Sequence, residues 1–197
     1  MATETLRPNA AGDENTIDFQ IPADSFPATD HWNKVDEEVA DEVTYLDSQS
    51  LIYQRDLYNL PASSGSGTIN FIKIYFRCRG GGLTNGDARP ALKSNSTVTD
   101  GTEVNLAGAW TTYSQQWNTN PASEPDAWTW ADIDALQIGV SLKKYADGQA
   151  QVTQVYVEVD YTVITWSKVG GVASANISKV MTVPKANIAR VKGVLSA

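Results

Sequence analysis

From residue 43 to 164 the apolar residues recur at every second position, in runs bounded by Gly, Asn, Pro and Ser. A strand turns successive side chains to opposite faces, so this period describes half-buried antiparallel strands. In residues 69–78, Ile72, Ile74, Phe76 and Cys78 share one face while Lys73 and Arg77 take the other. Leu136, Ile138, Val140 and Leu142 alternate with Gln137, Gly139, Ser141 and Lys143 up to a turn at 145–148. The run after that turn is expected to complete a hairpin with it, with Val155, Val157, Val159, Tyr161 and Val163 inward and Tyr156, Glu158, Asp160 and Thr162 outward. Val152 is out of phase with that set, which predicts a bulge near Thr153.

Shorter strands are expected at 43–46, 51–58, 88–93, 102–106 and 110–117, with Pro90 marking an edge or a bulge. A helical turn is expected within 125–135, where Thr129 and Asp132 have the spacing of a capping box. About eight to ten short strands predict an all-β, antiparallel two-sheet sandwich of jelly-roll type over residues 1–164. Its first 42 residues are polar and read as solvated loop, with an acidic cluster of Asp36, Glu37, Glu38, Asp41 and Glu42. Calcium takes oxygen ligands of this kind, but the Asp-x-Asp-x-Asp-Gly spacing is missing and no metal is assigned.

Residues 165–197 repeat one phrase of eleven residues three times, x-(Trp/Ile)-(Ser/Ala)-(Lys/Arg)-Val-x-(Gly/Thr)-Val-x-x-Ala. Its apolar positions are Trp166, Val169 and Val172, then Ile177, Val180 and Val183, then Ile188, Val191 and Val194. Gly170, Gly171 and Pro184 disfavour a continuous helix, so extended segments broken by turns at 170–171 and 192–193 are expected. A unit this small does not bury its apolar side alone. The nine positions are therefore expected to make contacts of oligomerisation or attachment, with identical copies as a homotrimer, with a neighbouring subunit, or with the chain's own sandwich.

The net charge is −8, yet residues 166–197 carry five basic residues and no acid, which leaves −13 on the rest. An acidic body argues against nucleic acid as a partner. No apolar run approaches the roughly 18 residues of a membrane span, and no secretory signal is expected from the N-terminus. Cys78 is the sole cysteine and reads as a small buried strand residue; His31, the sole histidine, lies in a polar stretch. Glu158 and Asp160 share a strand face as ordinary neighbours, no Gly-x-Ser-x-Gly occurs, and Gly80-Gly81-Gly82 lacks the rest of a phosphate loop and reads as a turn. No catalytic residue and no cofactor is expected. Of the tryptophans, Trp128 and Trp130 are candidates for stacking a sugar; the competing expectation has Trp32, Trp110, Trp117, Trp128 and Trp130 plug the ends of the sandwich, each indole N–H on a loop carbonyl.

Six segments together carry a resemblance: Leu6-Arg-Pro-Asn9, His31-Trp-Asn-Lys-Val-Asp-Glu37, Thr44-Tyr-Leu46, Asp56-Leu-Tyr-Asn-Leu-Pro61, residues 127–140 and residues 154–162. They are similar to a family of concanavalin-like or jelly-roll sandwich domains in structural proteins of tailed bacteriophages and related viruses, and the closing Ile-Ser-Lys-Val-x-x-Val phrase resembles short repeats that follow such domains. The resemblance implies a non-enzymatic virion surface protein (capsid decoration, head fibre or tail-associated) that pairs with itself and with other virion proteins through its C-terminal repeats. It implies no catalytic residues. The alternative expectation is a carbohydrate-binding adhesin that recognises host or surface glycans.

Overall fold

The computed structural model describes residues 1–22 and 31–164 in full, and, by backbone alone, four two-residue strands further on. Twelve strands lie between Ala2 and Thr162 in two antiparallel sheets, which is the sandwich the period-two pattern predicts. In the first sheet the order is β10 (Thr111–Trp117), β6 (Thr68–Gly82), β12 (Gly148–Thr162), β4 (Tyr45–Ser48), β3 (Phe19–Ile21), with β1 (Ala2–Leu6) also paired to β12. The second runs β2 (Ala10–Asn15), β5 (Gln54–Asn59), β11 (Gln137–Lys144), β7 (Gly86–Ser94), β8 (Thr97–Asp100), with β9 (Val104–Asn105) beside β7.

The inner faces meet in a dry core. Ile72, Ile74, Phe76 and Cys78 of β6 and Val155, Val157 and Val159 of β12 face Ile138, Val140 and Leu142 of β11, all at 0–1% exposure. Each such side chain contributes roughly 1.5–3 kcal/mol of burial. The bulge falls where it was expected, as a register shift between Val152 and Gln154. Thr153 donates its hydroxyl to the Thr44 carbonyl (2.7 Å), and the Val155 amide turns to Val35 O (2.8 Å), so the bulge fastens residues 35–44 to the sheet. The helix α1 (Trp130–Asp134) carries the expected capping box between Thr129 and Asp132. Pro90 sits in β7 where the neighbouring chain passes from β8 to β9, so its missing N–H interrupts no ladder bond, and its carbonyl accepts from the Gly101 amide (2.7 Å).

Several expectations are corrected. β11 and β12 do not pair: β5 and β7 occupy both edges of β11, and the chain crosses at 145–148 to the opposite sheet, so the two arms stack across the core. Val163 lies beyond β12 and is 45% exposed. Gly80 and Gly81 extend β6 instead of turning it; a Cβ at Gly80 would meet the Asn85 side chain at 2.6 Å. The N-terminal residues are not a solvated loop, since β1, β2 and β3 complete both sheets. His31 is buried: its Nδ1 lies 2.6 Å from Asp56 Oδ2, while Asp56 Oδ1 accepts the amides of Thr16 (2.6 Å) and Ile17 (3.0 Å). That cluster ties the N-terminal segment to β5, and burial pushes the Cys78 thiol well up, away from the thiolate a nucleophile needs.

Candidate functional site

The outward sides of the two sheets differ in how far their polar groups are already committed. On the second sheet Arg55 bonds Glu14 (2.7 Å) and Asp100 (3.1 Å), and Arg89 reaches Asp100 (3.2 Å). Lys143 lies 2.9 Å from Asp87, which also accepts from Tyr145 Oη (2.6 Å) and Asn105 (3.2 Å). Lys93 pairs with Asp13 and Tyr53 donates to Glu103, while Arg89 and Lys143 cover the Tyr53 ring at 3.8 and 4.7 Å. A ligand docking there would have to break bonds that are already made.

The first sheet presents a different surface, set by the outward positions of β6 and β12. The register places Lys73 beside Glu158, Tyr75 beside Tyr156, Arg77 beside Gln154, Arg79 beside Gln151 and Gly81 beside Gln149. Tyr75 and Tyr156 stack face to face, centroids 4.8 Å apart and planes 10° from parallel. Lys73 covers the Tyr75 ring at 4.9 Å, and Arg7 covers that of Tyr156 at 4.8 Å. The rings lie within a stack of four that covers their faces. Burial and a bond to the Glu158 carboxylate push the Tyr75 hydroxyl up to about 12, so it is committed to that carboxylate.

Further along the same face is a second aromatic group. Trp110, just ahead of β10, meets Tyr45 of β4 edge to face at 5.8 Å, and the Arg79 guanidinium lies 4.6 Å from the Trp110 centroid and 5.7 Å from that of Tyr45. All three are half-buried. A directional chain of bonds runs away from Arg79: its Nε donates to Gln151 Oε1 (2.6 Å), Gln151 Nε2 to Gln149 Oε1 (3.4 Å), and Gln149 Nε2 to Asp47 Oδ2 (3.1 Å). Gln49 Nε2 donates to the same Asp47 oxygen at 3.2 Å. Both amide orientations are thereby fixed, and successive bonds in such a chain polarise one another. Asp47 is 3% exposed; burial holds its carboxyl above the usual range, and its Oδ1 has no partner. Arg77 is closed by Glu42 and Thr112.

The packing of Trp128 rules it out of the expected sugar platform, and Trp130 keeps part of its ring exposed. Trp128 is 3% exposed and donates Nε1 to Trp117 O (3.1 Å), so it has no ring face for a ligand. Trp130 is half-buried, donates to Gly67 O (3.0 Å), meets Tyr161 edge-on at 5.0 Å and packs over Gly65. These two follow the end-plug expectation, whereas Trp110 leaves that set for the outer face. Of the nine tail positions, Val169 pairs with Val172 and Val180 with Val183 in successive antiparallel pairs of two-residue strands; Trp166, Ile177, Ile188, Val191 and Val194 lie outside the described residues. Among the described residues no group of three or more His, Cys, Asp or Glu is placed to hold a metal ion. Tyr45, Arg79 and Gln151 were not singled out in the sequence. The one signal for Arg79 is that Tyr75, Arg77 and Arg79 continue the outward alternation of β6 past Cys78.

No family model matches the sequence, and no curated protein matches it. Among solved structures, the chain is similar to the CBM22-1–GH10 modules of Clostridium thermocellum endo-1,4-β-D-xylanase 10B complexed with xylohexaose, at 8% identity and a TM-score of 0.40, over 66% of this chain and 24% of that one. It is also similar to a CBM61 module in complex with β-1,4-galactotriose (11% identity, TM-score 0.34, 58% of this chain and 70% of that one) and to a CBM4 module (12%, 0.37, 59% and 83%). The chain spans about a quarter of the first of these. Overlap of this depth assigns neither a ligand nor the face that would hold one.

Proposed function

We propose that this chain is a glycan-binding module and that the outer face of its first sheet is the binding surface. The observation that carries the reading is the half-buried group of Trp110, Tyr45 and Arg79, in which the buried Gln151 amide holds the guanidinium in place and Gln149 lies beside it. Sugar recognition asks for an apolar ring surface beside planar groups that bond hydroxyls in fixed directions. This face supplies both in rigid strands, and the opposite face is closed by its own ion pairs. No bond-breaking step is assigned to the site: Glu158 stands beside Lys73 and Tyr75, and no opposed carboxylate pair is formed there.

The test is titration of a panel of soluble polysaccharides into the full chain and into Trp110→Ala. The wild type is expected to bind at least one of them, and Trp110→Ala to weaken that binding about tenfold or more, since truncating an aromatic anchor at a binding surface costs more than about 1 kcal/mol. Undiminished binding by Trp110→Ala places the ligand elsewhere. A second reading concerns the tail, because two copies of its phrase form the same small hairpin in the same register. Two-residue strands are not stable alone. The tail is proposed as the element that assembles copies of this chain, and the virion setting rests on the sequence resemblance.

A further inference from the structure

Resting on the glycan-binding reading, we propose that Arg79 is the receptor for the carboxylate of an acidic sugar carried on an otherwise neutral chain. The arginines of the described residues are otherwise engaged at their terminal nitrogens. Arg7 donates to the carbonyls of Glu37 and Glu38, Arg55 to Glu14 and Asp100, Arg77 to Thr112 and Glu42, and Arg89 to Asp100. Arg79 bonds through Nε alone, and among the described residues no acceptor meets either of its terminal nitrogens.

The guanidinium is nevertheless held still. Gln151 fixes Nε at 2.6 Å, and the rings of Trp110 and Tyr45 fix its plane. An arginine restrained in this way has lost most of its rotamer freedom before the ligand arrives and presents two parallel N–H donors, the geometry that matches a carboxylate bidentately. Asp47, the acid at the far end of the amide chain, directs an oxygen to Gln49 and Gln149; the Arg79 charge acts on it from beyond ion-pair distance and leaves the guanidinium fork open. The net charge of −8 works against a densely charged polyanion. A single acidic residue among neutral sugars fits both the local fork and the global field.

Glucuronoxylan and gum arabic, each beside its carboxyl-reduced form, are the probes, titrated into the full chain and into Arg79→Gln and Arg79→Lys. Reduction changes the carboxylate and leaves the backbone sugars in place. The wild type is expected to bind at least one acidic form about tenfold or more tightly than its reduced form; Arg79→Gln is expected to weaken the acidic form about tenfold beyond any loss it shows on the reduced form, so that the difference disappears, and Arg79→Lys to restore part of it. Equal binding of acidic and reduced forms by the wild type, or a preference that survives Arg79→Gln, overturns the inference and leaves the glycan reading standing. Binding of neither form overturns the inference as well, and the neutral members of the panel then decide the glycan reading separately. Near-ultraviolet circular dichroism, which sums all six tryptophans, checks that the variants keep the tertiary packing of the wild type.

Discussion

Asp87 shows how a single carboxylate couples the second sheet to pH. It is 1% exposed, and although burial raises its pKa, the bonds from Tyr145, Lys143 and Asn105 outweigh that and hold the carboxyl below its ordinary range. A carboxyl depressed in the folded state contributes stability that is present above the unfolded pKa and lost as pH falls through the folded one. Asp87→Asn is therefore expected to cost about 1.5–3 kcal/mol at pH 7, the size of hydrogen bonds to a charged group. The gap between variant and wild type should close as pH drops below the ordinary aspartate range, which urea denaturation at a series of pH values would show. Asp47 has the opposite sign, since its raised carboxyl costs stability when ionised and the cost is relieved on acidification.

At the scale of the element, β12 is the hub of the first sheet, and its bulge decides what the sheet can display. Thr153 is fully buried and joins the Thr44 carbonyl, immediately ahead of Tyr45 in the proposed binding face. Thr153→Val keeps the side-chain shape and removes the bond, with an expected loss of about 1–2 kcal/mol. The Val155 amide, bonded to Val35 O, should then exchange its hydrogen faster than the amides further along β12, a difference hydrogen-exchange measurements resolve. The bulge was legible because Val152 breaks phase with Val155; the pairing of β11 was not, since alternation tells which side chains share a face and says nothing about which edges meet. β1 escaped notice for a related reason. Its alternate residues Ala2, Glu4 and Leu6 are a weak apolar signal, and it is recognisable only from its place beside β12. The proposed binding face was the least legible part, because its residues are the polar half of the alternation, where no apolar period marks which of them converge.

For the whole molecule, the contrast between an acidic body and a basic, repetitive C-terminal stretch is the main organising fact. If the repeats assemble copies of the chain, light scattering will give a multimer for the full chain, a homotrimer being the expected state, and a monomer for a chain ending at Val163. A monomer in both cases removes self-assembly as the role of the repeats. The register of β6 and β12 adds a mechanical consequence. Arg79 and Gln151 lie toward one end of this strand pair, while Thr162, the residue that leads toward the repeats, pairs with Thr68 at the other. A pull between a bound surface and the repeats thus runs along the strand axes, so the bonds of the ladder share the load in shear and do not peel one after another. Under traction between the repeats and anything held at that face, the sandwich would act as a stiff link in the tether.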